Sequence, residues 1–416
     1  MSKPDYITLP LRLKTSDTIF GRLHNILFIT TSVLTTLYRY YVHGPESPKW
    51  TLRFHVIKNI LHNYLSESLP HTTPNDLTEQ IDFSFIARYI EMNNLPSRAL
   101  TPDAGCNREF LIDAAALCMP YRLERYGESG NKLNVLAEAD REAGRKISCQ
   151  VVVGASLCGC TCSSERLLDA QPLCADERAI LHFHGGAYCV GERSLTHLYV
   201  YASMSQATGL RVFSPNYRLA PAHCFPRQLH DCFLAYRHML LVGFQPHNIT
   251  LAGDSAGGAL VLALLLVLRE MQMPLPRNLL LVSPWVDATC SGRSWVTNQG
   301  KDYLPGLTLE DPFHPTRMFY EAGRRLDQHM LEELRCPLVS PVFGSFEGMP
   351  PMLVQMGRDE LLRDDIAEFV HKVQKQSKEP AVLQSYKDMP HAFILLHFAE
   401  SAKRAFECMR EFLEQH

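Results

Sequence analysis

A serine flanked by glycines lies in the pentapeptide Gly253-Asp254-Ser255-Ala256-Gly257. The apolar run before it, residues 249–252, is short and typical of a buried strand, whereas residues 259–268 after it suffice for a buried helix. Only glycine leaves room for so tight a turn between strand and helix, and this turn raises the serine hydroxyl above the sheet. The partial positive charge at the helix N-terminus favours a developing oxyanion there. The pattern therefore predicts that Ser255 is a nucleophile.

A serine hydroxyl is a poor nucleophile at neutral pH, so it needs a base within hydrogen-bond reach and an acid that orients the base. After a turn of this kind, the acid precedes the histidine in the chain. Six histidines follow Ser255, and only His391 lies on a loop directly after a predicted strand. His371 and His397 fall within helical patterns, which suit packing or surface roles better. His391 is therefore the predicted base.

Four carboxylates follow the strand predicted at residues 352–356. Asp364 and Asp365 lie where a helix begins, so we expect them to cap that helix and to complement its dipole. Asp359 and Glu360 remain as candidates for the acid. The spacing alone does not separate these two neighbours, whose side chains point in different directions.

A pair of glycines ends the strand predicted at residues 179–183, in the sequence His184-Gly185-Gly186-Ala187. The N–H groups of Gly185 and Gly186 can face a reacting carbonyl without side-chain obstruction, and the N–H of Ala256 would be a third donor. Loss of one such oxyanion donor typically costs about 3–4 kcal/mol of transition-state stabilisation. His184 is expected to form hydrogen bonds within this loop rather than to serve as a second base.

From residue 146 onward, short β-rich runs alternate with helical ones. Such alternation predicts an α/β fold, with a mostly parallel sheet covered by helices on both faces. Residues 294–338 interrupt the alternation with charged helical sequence, and we expect them to contribute to a cap. The predicted strands are 147–153, 179–183, 211–213, 249–252, 279–282, 352–356 and 381–386, and the predicted helices are 195–207, 228–241, 258–271, 364–375 and 401–414.

Residues 1–145 are predicted to form a helical cap in front of a catalytic domain at 146–416, because residues 50–123 show helical spacing and no nucleophile–base pairing. The first residues lack the pattern of a cleaved signal peptide. Sixteen uncharged residues at 23–38 would cover about 24 Å as a helix, less than the roughly 30 Å of a bilayer core. Tyrosines and an arginine follow them, as in an interfacial belt. The segment 23–41 is therefore either a cap helix or a membrane-associated anchor.

The net charge and the cysteine content argue against some partners and cofactors. A formal charge of −3 and a pI near 6.6 give no reason to expect nucleic acid as a partner. Thirteen cysteines form an odd number, which favours free thiols in a reducing, intracellular compartment. The alternate cysteines of Cys158-Gly159-Cys160-Thr161-Cys162 lack the spacing of a zinc site and suggest a surface loop. We expect neither a metal nor an organic cofactor.

Three motifs together resemble the hormone-sensitive-lipase-like branch of the α/β-hydrolases. They are His184-Gly185-Gly186-Ala187 after a strand, Tyr217-Arg218-Leu219-Ala220-Pro221, and Gly253-Asp254-Ser255-Ala256-Gly257-Gly258. The resemblance covers residues 178–416 in the same order, and it implies an α/β-hydrolase fold and a carboxylic ester hydrolase.

The resemblance also bears on the acid. In this branch an Asp-x-Leu-x-Asp segment carries the acid at its first position, and Glu360-Leu361-Leu362-Arg363-Asp364 matches it with glutamate in that place. The resemblance therefore prefers Glu360 to Asp359. Ala187 stands where the family has a third glycine, and it should be tolerated if Gly185 and Gly186 supply the donors.

Residues 283–287, and Trp50 with the helices after it, are similar to fungal proteins that remove acetyl groups from sterols and related metabolites. This looser resemblance implies a short acyl group on an apolar alcohol, and an enzyme in the cytoplasm or associated with the endoplasmic reticulum membrane. Two alternatives remain open, namely a ligand-binding protein without turnover on the same scaffold and a hydrolase of amides or formamides.

Overall fold

A computed structural model gives the structure of the protein and describes residues 19–45, 47, 50–68, 106–154, 157, 164–191, 195–311 and 314–416. The helices predicted within 69–105 and the run Cys158–Cys162 lie outside these described residues.

Eight strands form one mixed sheet in the order β1-β2-β4-β3-β5-β6-β7-β8. The pairs β1–β2 and β2–β4 are antiparallel, and all other neighbours are parallel. This arrangement confirms the predicted mostly parallel sheet. The strands are β1 Cys106–Asp113, β2 Lys146–Val153, β3 Ala179–Phe183, β4 Arg211–Pro215, β5 Ile249–Asp254, β6 Asn278–Val282, β7 Met352–Gly357 and β8 Ala381–Tyr386.

One strand contradicts the prediction of helices across residues 50–123. Cys106–Asp113 pairs along its whole length with β2, so the sheet begins at residue 106 rather than at 146. Four of the eight side chains of this edge strand are polar or charged, and its Leu111 is 61% exposed. Of its described side chains only Phe110 and Ile112 pack against the core, so the alternation by which a sequence indicates a half-buried strand is very short here.

Helices cover both faces of the sheet, as predicted. In β6, Leu279 and Leu281 pack into the cluster that contains α8, whereas Leu280 and Val282 pack with α6 and α13 on the opposite face. The helices are α1 Ile19–His43, α2 Leu52–Ser68, α3 Ala114–Leu117, α4 Gly127–Glu142, α5 Ser164–Leu167, α6 Leu195–Thr208, α7 Arg227–Leu241, α8 Ala256–Glu270, α9 Ser294–Thr297, α10 Pro315–Glu321, α11 Gln328–Leu334, α12 Arg363–Gln376 and α13 Glu400–Gln415.

The two N-terminal helices pack against the catalytic part of the chain. Phe28 of α1 and Ile60 of α2 are buried in one cluster with Tyr303 and Met318. The segment predicted as 23–41 thus lies within the 25-residue helix α1. Across the described residues, no helix combines the length and the apolarity that crossing a membrane requires.

Candidate active site

Ser255 occupies the turn between β5 and α8. Its backbone angles are φ 53° and ψ −122°, a left-handed conformation that a residue with a side chain rarely adopts. The neighbouring glycines are required by close approach, because a Cβ on Gly253 would lie 2.6 Å from the Gly257 backbone and one on Gly257 would lie 2.0 Å from the carbonyl oxygen of Phe183. The strained turn is therefore packed tightly from both sides and holds Ser255 in place.

His391 lies on the loop after β8, and its Nε2 atom is 2.8 Å from Ser255 Oγ. The imidazole is 4% exposed. Burial lowers the pKa of His391 to about 4, although the nearby Asp254 carboxylate opposes this shift. A neutral imidazole at hydrogen-bond distance can accept the serine proton at neutral pH.

Glu360 is fully buried on the loop after β7. Its Oε2 atom accepts the Ser283 hydroxyl at 2.6 Å and the Gly357 N–H at 3.0 Å. Its Oε1 atom and the Nδ1 atom of His391 are both buried, and neither has a hydrogen-bond partner among the described residues. Burial raises the pKa of Glu360 well above the usual range; the Ser283 hydrogen bond opposes this shift, and the charge of Asp302 adds to it.

Asp359, the other candidate acid, lies in a different environment. It is only half-buried, and its N–H donates to the carbonyl oxygen of Met389. Burial raises its pKa, while the charges of Lys301 and Lys58 lower it and that of Asp388 raises it. Its carboxylate therefore interacts with lysines at the edge of the site, whereas the neighbouring Glu360 is directed into the interior.

A serine that no sequence motif indicates links the acid and base loops. Ser283 Oγ donates to Glu360 and accepts the N–H of Ala392, the residue after His391, at 3.0 Å. Ser283 directly follows β6 and has φ 46°, again in the left-handed region. Its position at the carboxyl end of a parallel strand is the signal that could have identified it, since sites in such sheets form at those ends.

One of the predicted oxyanion donors, Gly185, has another hydrogen-bond acceptor in the structure. The N–H of Gly185 donates to Asp254 Oδ1 at 3.1 Å, so it is not available to a reacting carbonyl. The N–H groups of Gly186, Ala187 and Ala256 donate to no atom in the part of the chain that the structure describes. Gly186 and Ala187 have φ values of 111° and 54°, so the loop turns sharply at these two residues.

Asp254 binds the N–H of Gly185 strongly because its carboxylate is ionised in the protein interior. The side chain is 1% exposed, and His197 Nε2 lies 3.4 Å from Oδ2 while His182 Nε2 lies 3.7 Å from Oδ1. Burial opposes ionisation, but the charge and hydrogen bond of His197, with His182 contributing, lower the pKa of Asp254 to about 2. A carboxylate accepts stronger hydrogen bonds than a neutral oxygen, which explains its hold on the Gly185 N–H.

A family profile described as the alpha/beta hydrolase fold matches residues 180–395. The chain belongs to this family. An acetyl-hydrolase of Streptomyces hygroscopicus is 33% identical to this hydrolase over 246 residues, which cover 58% of this chain and 77% of that protein. A Schizosaccharomyces pombe protein whose name proposes a steryl acetyl hydrolase is 26% identical over 211 residues, covering 47% of this chain and 53% of that protein.

The solved structure of a hormone-sensitive lipase from a metagenome library matches the hydrolase with a TM-score of 0.52 and 28% identity. The match covers 65% of this chain and 82% of the other. The predicted resemblance to the hormone-sensitive-lipase-like branch is thereby confirmed. The prediction of a carboxylic ester hydrolase is also confirmed at the level of the enzyme class, because the relatives carry esterase and acetyl-hydrolase names.

In the hydrolase, the Tyr217-Arg218 motif supports the oxyanion loop. The Tyr217 hydroxyl donates to the His184 carbonyl oxygen at 2.6 Å, and the two rings stack with centroids 4.2 Å apart. Arg218 in turn is bound by the carboxylates of Asp140 and Asp231. Burial lowers the pKa of His184 to about 3, and its Nδ1 contacts the Gly185 carbonyl, so its role is structural, as expected.

Proposed function

We propose that the hydrolase cleaves carboxylic esters through an acyl intermediate on Ser255. The observation that carries this proposal is the 2.8 Å contact between Ser255 Oγ and a His391 imidazole that burial keeps neutral. Ser255 Oγ attacks the acyl carbon while His391 takes the hydroxyl proton, which it then gives to the leaving alcohol. In a second half-reaction, His391 removes a proton from water, and the resulting attack releases the acid and restores Ser255.

Glu360 is proposed as the acid that orients His391. The support is that Glu360 Oε1 and His391 Nδ1 are both buried polar atoms without partners, a costly state for each that their interaction would relieve. As His391 becomes an imidazolium during attack, an ionised Glu360 compensates its charge in a site of low polarity. Asp359 has no comparable environment, because lysine charges act on its carboxylate.

The oxyanion is proposed to bind the N–H groups of Gly186 and Ala256, with the N–H of Ala187 as the third donor. The support is that these three groups have no acceptor in the described part of the chain, whereas Gly185 already has one. The N–H of Ala256 is also the first of α8, where the helix dipole favours negative charge.

The substrate is proposed to be a short acyl ester, such as an acetate, of an apolar alcohol such as a sterol. Tyr303, whose ring centroid is 6.3 Å from that of His391, packs in an apolar cluster with Phe28 and Met318. Val190 of the oxyanion loop contacts the same cluster. The His391 ring is therefore next to apolar surface, as expected for a site that takes an apolar alcohol. The names of the two relatives described above support the short acyl group.

The reaction is tested with a fluorophosphonate probe and a panel of acetyl, butyryl and octanoyl esters of a sterol and of a small phenol. We expect labelling at Ser255 and preferred cleavage of acetates, and we expect Ser255→Ala and His391→Ala each to lower kcat by at least ~10⁴-fold. Saturable binding of the esters without turnover would indicate a ligand-binding protein instead. Faster cleavage of the matching amides or formamides would indicate an amide hydrolase.

A peripheral contact with membrane is proposed through one face of α1. Leu34, Tyr38, Tyr41 and Val42 recur at helical spacing and are 59%, 63%, 74% and 56% exposed. Aromatic and aliphatic side chains of this kind partition into the interfacial region of a bilayer. Apolar esters dissolve in lipid, so this contact would give the enzyme access to them at the cytoplasmic or endoplasmic reticulum membrane.

Flotation with phosphatidylcholine vesicles tests this contact. The double variant Leu34→Ser/Tyr41→Ser should lose vesicle binding while keeping its kcat on a water-soluble acetate. Val135→Ser removes a side chain that is 71% exposed on α4 and serves as the matched control. Equal flotation of the double variant and the wild type would contradict the proposal.

A further inference from the structure

A fully buried carboxylate beside the site has no part in the chemistry proposed above. Asp302 lies in the segment 294–338, for which the sequence suggested only a cap role. Its Oδ1 atom accepts the N–H of His391 at 3.1 Å, and its Oδ2 atom accepts the N–H of Leu361 at 2.8 Å. Leu361 is the residue after Glu360, so a single carboxylate joins the backbone of the base to the backbone of the acid loop.

These two loops follow different strands, which pair with each other, and the N–H of Asp359 donates to the Met389 carbonyl oxygen between the loops. The Glu360 loop follows β7 and the His391 loop follows β8, and Asp302 is 59 and 89 residues away from its two partners in the chain. Hydrogen bonds to an ionised oxygen are shorter and stronger than neutral ones. They act here on the peptide groups from which the two side chains extend, and so fix where those side chains lie relative to each other.

The rest of the segment supports the acid loop as well. Asn298 Nδ2 donates to the carbonyl oxygens of Glu360 at 2.9 Å and of Arg358 at 3.1 Å. Ser294 Oγ donates to the Leu361 carbonyl and accepts the N–H of Asp364. Asp302 extends this support from the acid loop to the base loop.

We propose that Asp302 is a positioning residue that sets the distance between His391 and Glu360. The inference rests on the proposed mechanism and adds a residue to it. Asp302 contacts neither Ser255 nor the imidazole ring, so it acts through the backbone. Both of its oxygens accept N–H groups, and an asparagine would offer one acceptor and direct a second donor at an N–H group.

The test is Asp302→Asn, assayed on a soluble acetate with the active sites counted by the fluorophosphonate probe. Misplacement of catalytic groups by about 1 Å costs on the order of 10²-fold in rate, so we expect kcat to fall by about that factor while KM stays within about twofold. The rate constant for labelling of Ser255 should fall by the same factor as kcat, because both reactions need His391 in place.

Asp287→Asn is the matched control. Asp287 is also buried and accepts N–H groups, those of Thr289 and Ser291, but these belong to its own loop after β6. We expect this variant to lose stability without the loss of kcat. If Asp302→Asn keeps wild-type kcat, or loses activity only in proportion to unfolded protein as the control does, the inference is overturned.

Two further measurements keep the inference testable if Asp302→Asn does not fold. Asp302→Ser is smaller and reaches neither loop, and a wild-type kcat in this variant would equally overturn the inference. In the wild-type enzyme, the amide hydrogen of His391 should exchange slowly with solvent, and rapid exchange would show that Asp302 does not hold it. Turnover is first measured for the wild type and for Ser255→Ala, which should abolish it. Failure of the ester hydrolase proposal is thereby recognised separately from failure of this inference.

Discussion

Asp254 and Asp302 are both buried carboxylates, and they hold different loops of the site: Asp254 accepts the N–H of Gly185, and Asp302 accepts those of Leu361 and His391. Burial opposes the ionised form of both. For Asp254 the charge and hydrogen bond of His197 outweigh burial and lower the pKa to about 2. For Asp302 burial wins and raises the pKa to about 6, although the N–H groups of Leu361 and His391 oppose it. The amide dipoles offset less of the desolvation than the histidines do.

The two sides of the site therefore differ in how they respond to protons. The oxyanion side, organised by Asp254, should keep its charge throughout the range in which an esterase works. On the base side, burial raises the pKa values of Asp302 and Glu360 and lowers the pKa of His391. Substitutions on the base side, substitutions on the oxyanion side and a change of pH should therefore have different effects on activity.

The largest effect among these is expected from Glu360→Gln. This change keeps the shape of the side chain but removes the charge that would compensate the His391 imidazolium. Loss of the triad acid typically lowers kcat by about 10⁴-fold. Asp359→Asn is the matched control, one residue away, and should change kcat by less than about threefold. The measurement is kcat on a soluble acetate for both variants.

The reverse order of effects would assign the acid to Asp359 and contradict the orientation proposed for Glu360. Equal and small effects would mean that His391 is held by other groups, and the base side would then depend mainly on Asp302.

A smaller effect is expected from Asp254→Asn on the oxyanion side. The variant weakens the hold on Gly185 and so displaces the loop with the Gly186 and Ala187 donors, at a cost of about 10²-fold in kcat. Because the folded pKa of Asp254 lies below its unfolded value of about 3.8, its charge stabilises the fold above that pH, and this stability is lost as pH falls toward 2.

Urea unfolding at several pH values checks the stability difference. Wild type should exceed Asp254→Asn by about 2 kcal/mol at neutral pH, and the difference should shrink below about pH 4. A difference that stays constant with pH would contradict an ionised Asp254. His182→Gln, which removes a more distant neighbour of the same carboxylate, should give a change of the same sign and smaller size.

The comparison also shows which parts of the site a sequence can predict. Ser255 was identified from its turn and His391 from its place after the last strand, and both signals are local. The seven strands predicted from residue 147 onward are all present, and the five in the middle of the sheet, β3 to β7, are buried along their whole length. The edge strand Cys106–Asp113 was missed because residues 107–109 are polar and exposed, which leaves only three consecutive apolar residues.

Contacts between residues that are far apart in the chain could not be predicted from such local signals. The spacing could not separate Glu360 from Asp359, because burial against Ser283 depends on a residue 77 positions away. The capture of Gly185 by Asp254 joins residues 69 positions apart, and Asp302 lies in a segment whose charged composition suggested only a cap. Each of these features arises from tertiary packing that overrides the local pattern.

The smallest effect is the shape of the pH profile, which tests the difference between the two carboxylates directly. The titratable groups around Asp302 are Glu360 and His391 on the adjoining loops, Tyr303 beside it, and Lys58 of α2, whose Nζ binds the neighbouring Gly300 carbonyl. A protonated Asp302 loses an acceptor, so kcat/KM of the wild type should fall as pH decreases through about 6 and be roughly tenfold lower at about pH 5 than on the plateau.

In Asp302→Asn this acid limb should move toward the pKa of His391 near 4, whereas Asp254→Asn should keep the wild-type limb. A wild-type limb already near pH 4 would mean that Asp302 does not titrate in the working range, and the distinction between the two sides would then be structural rather than one of charge.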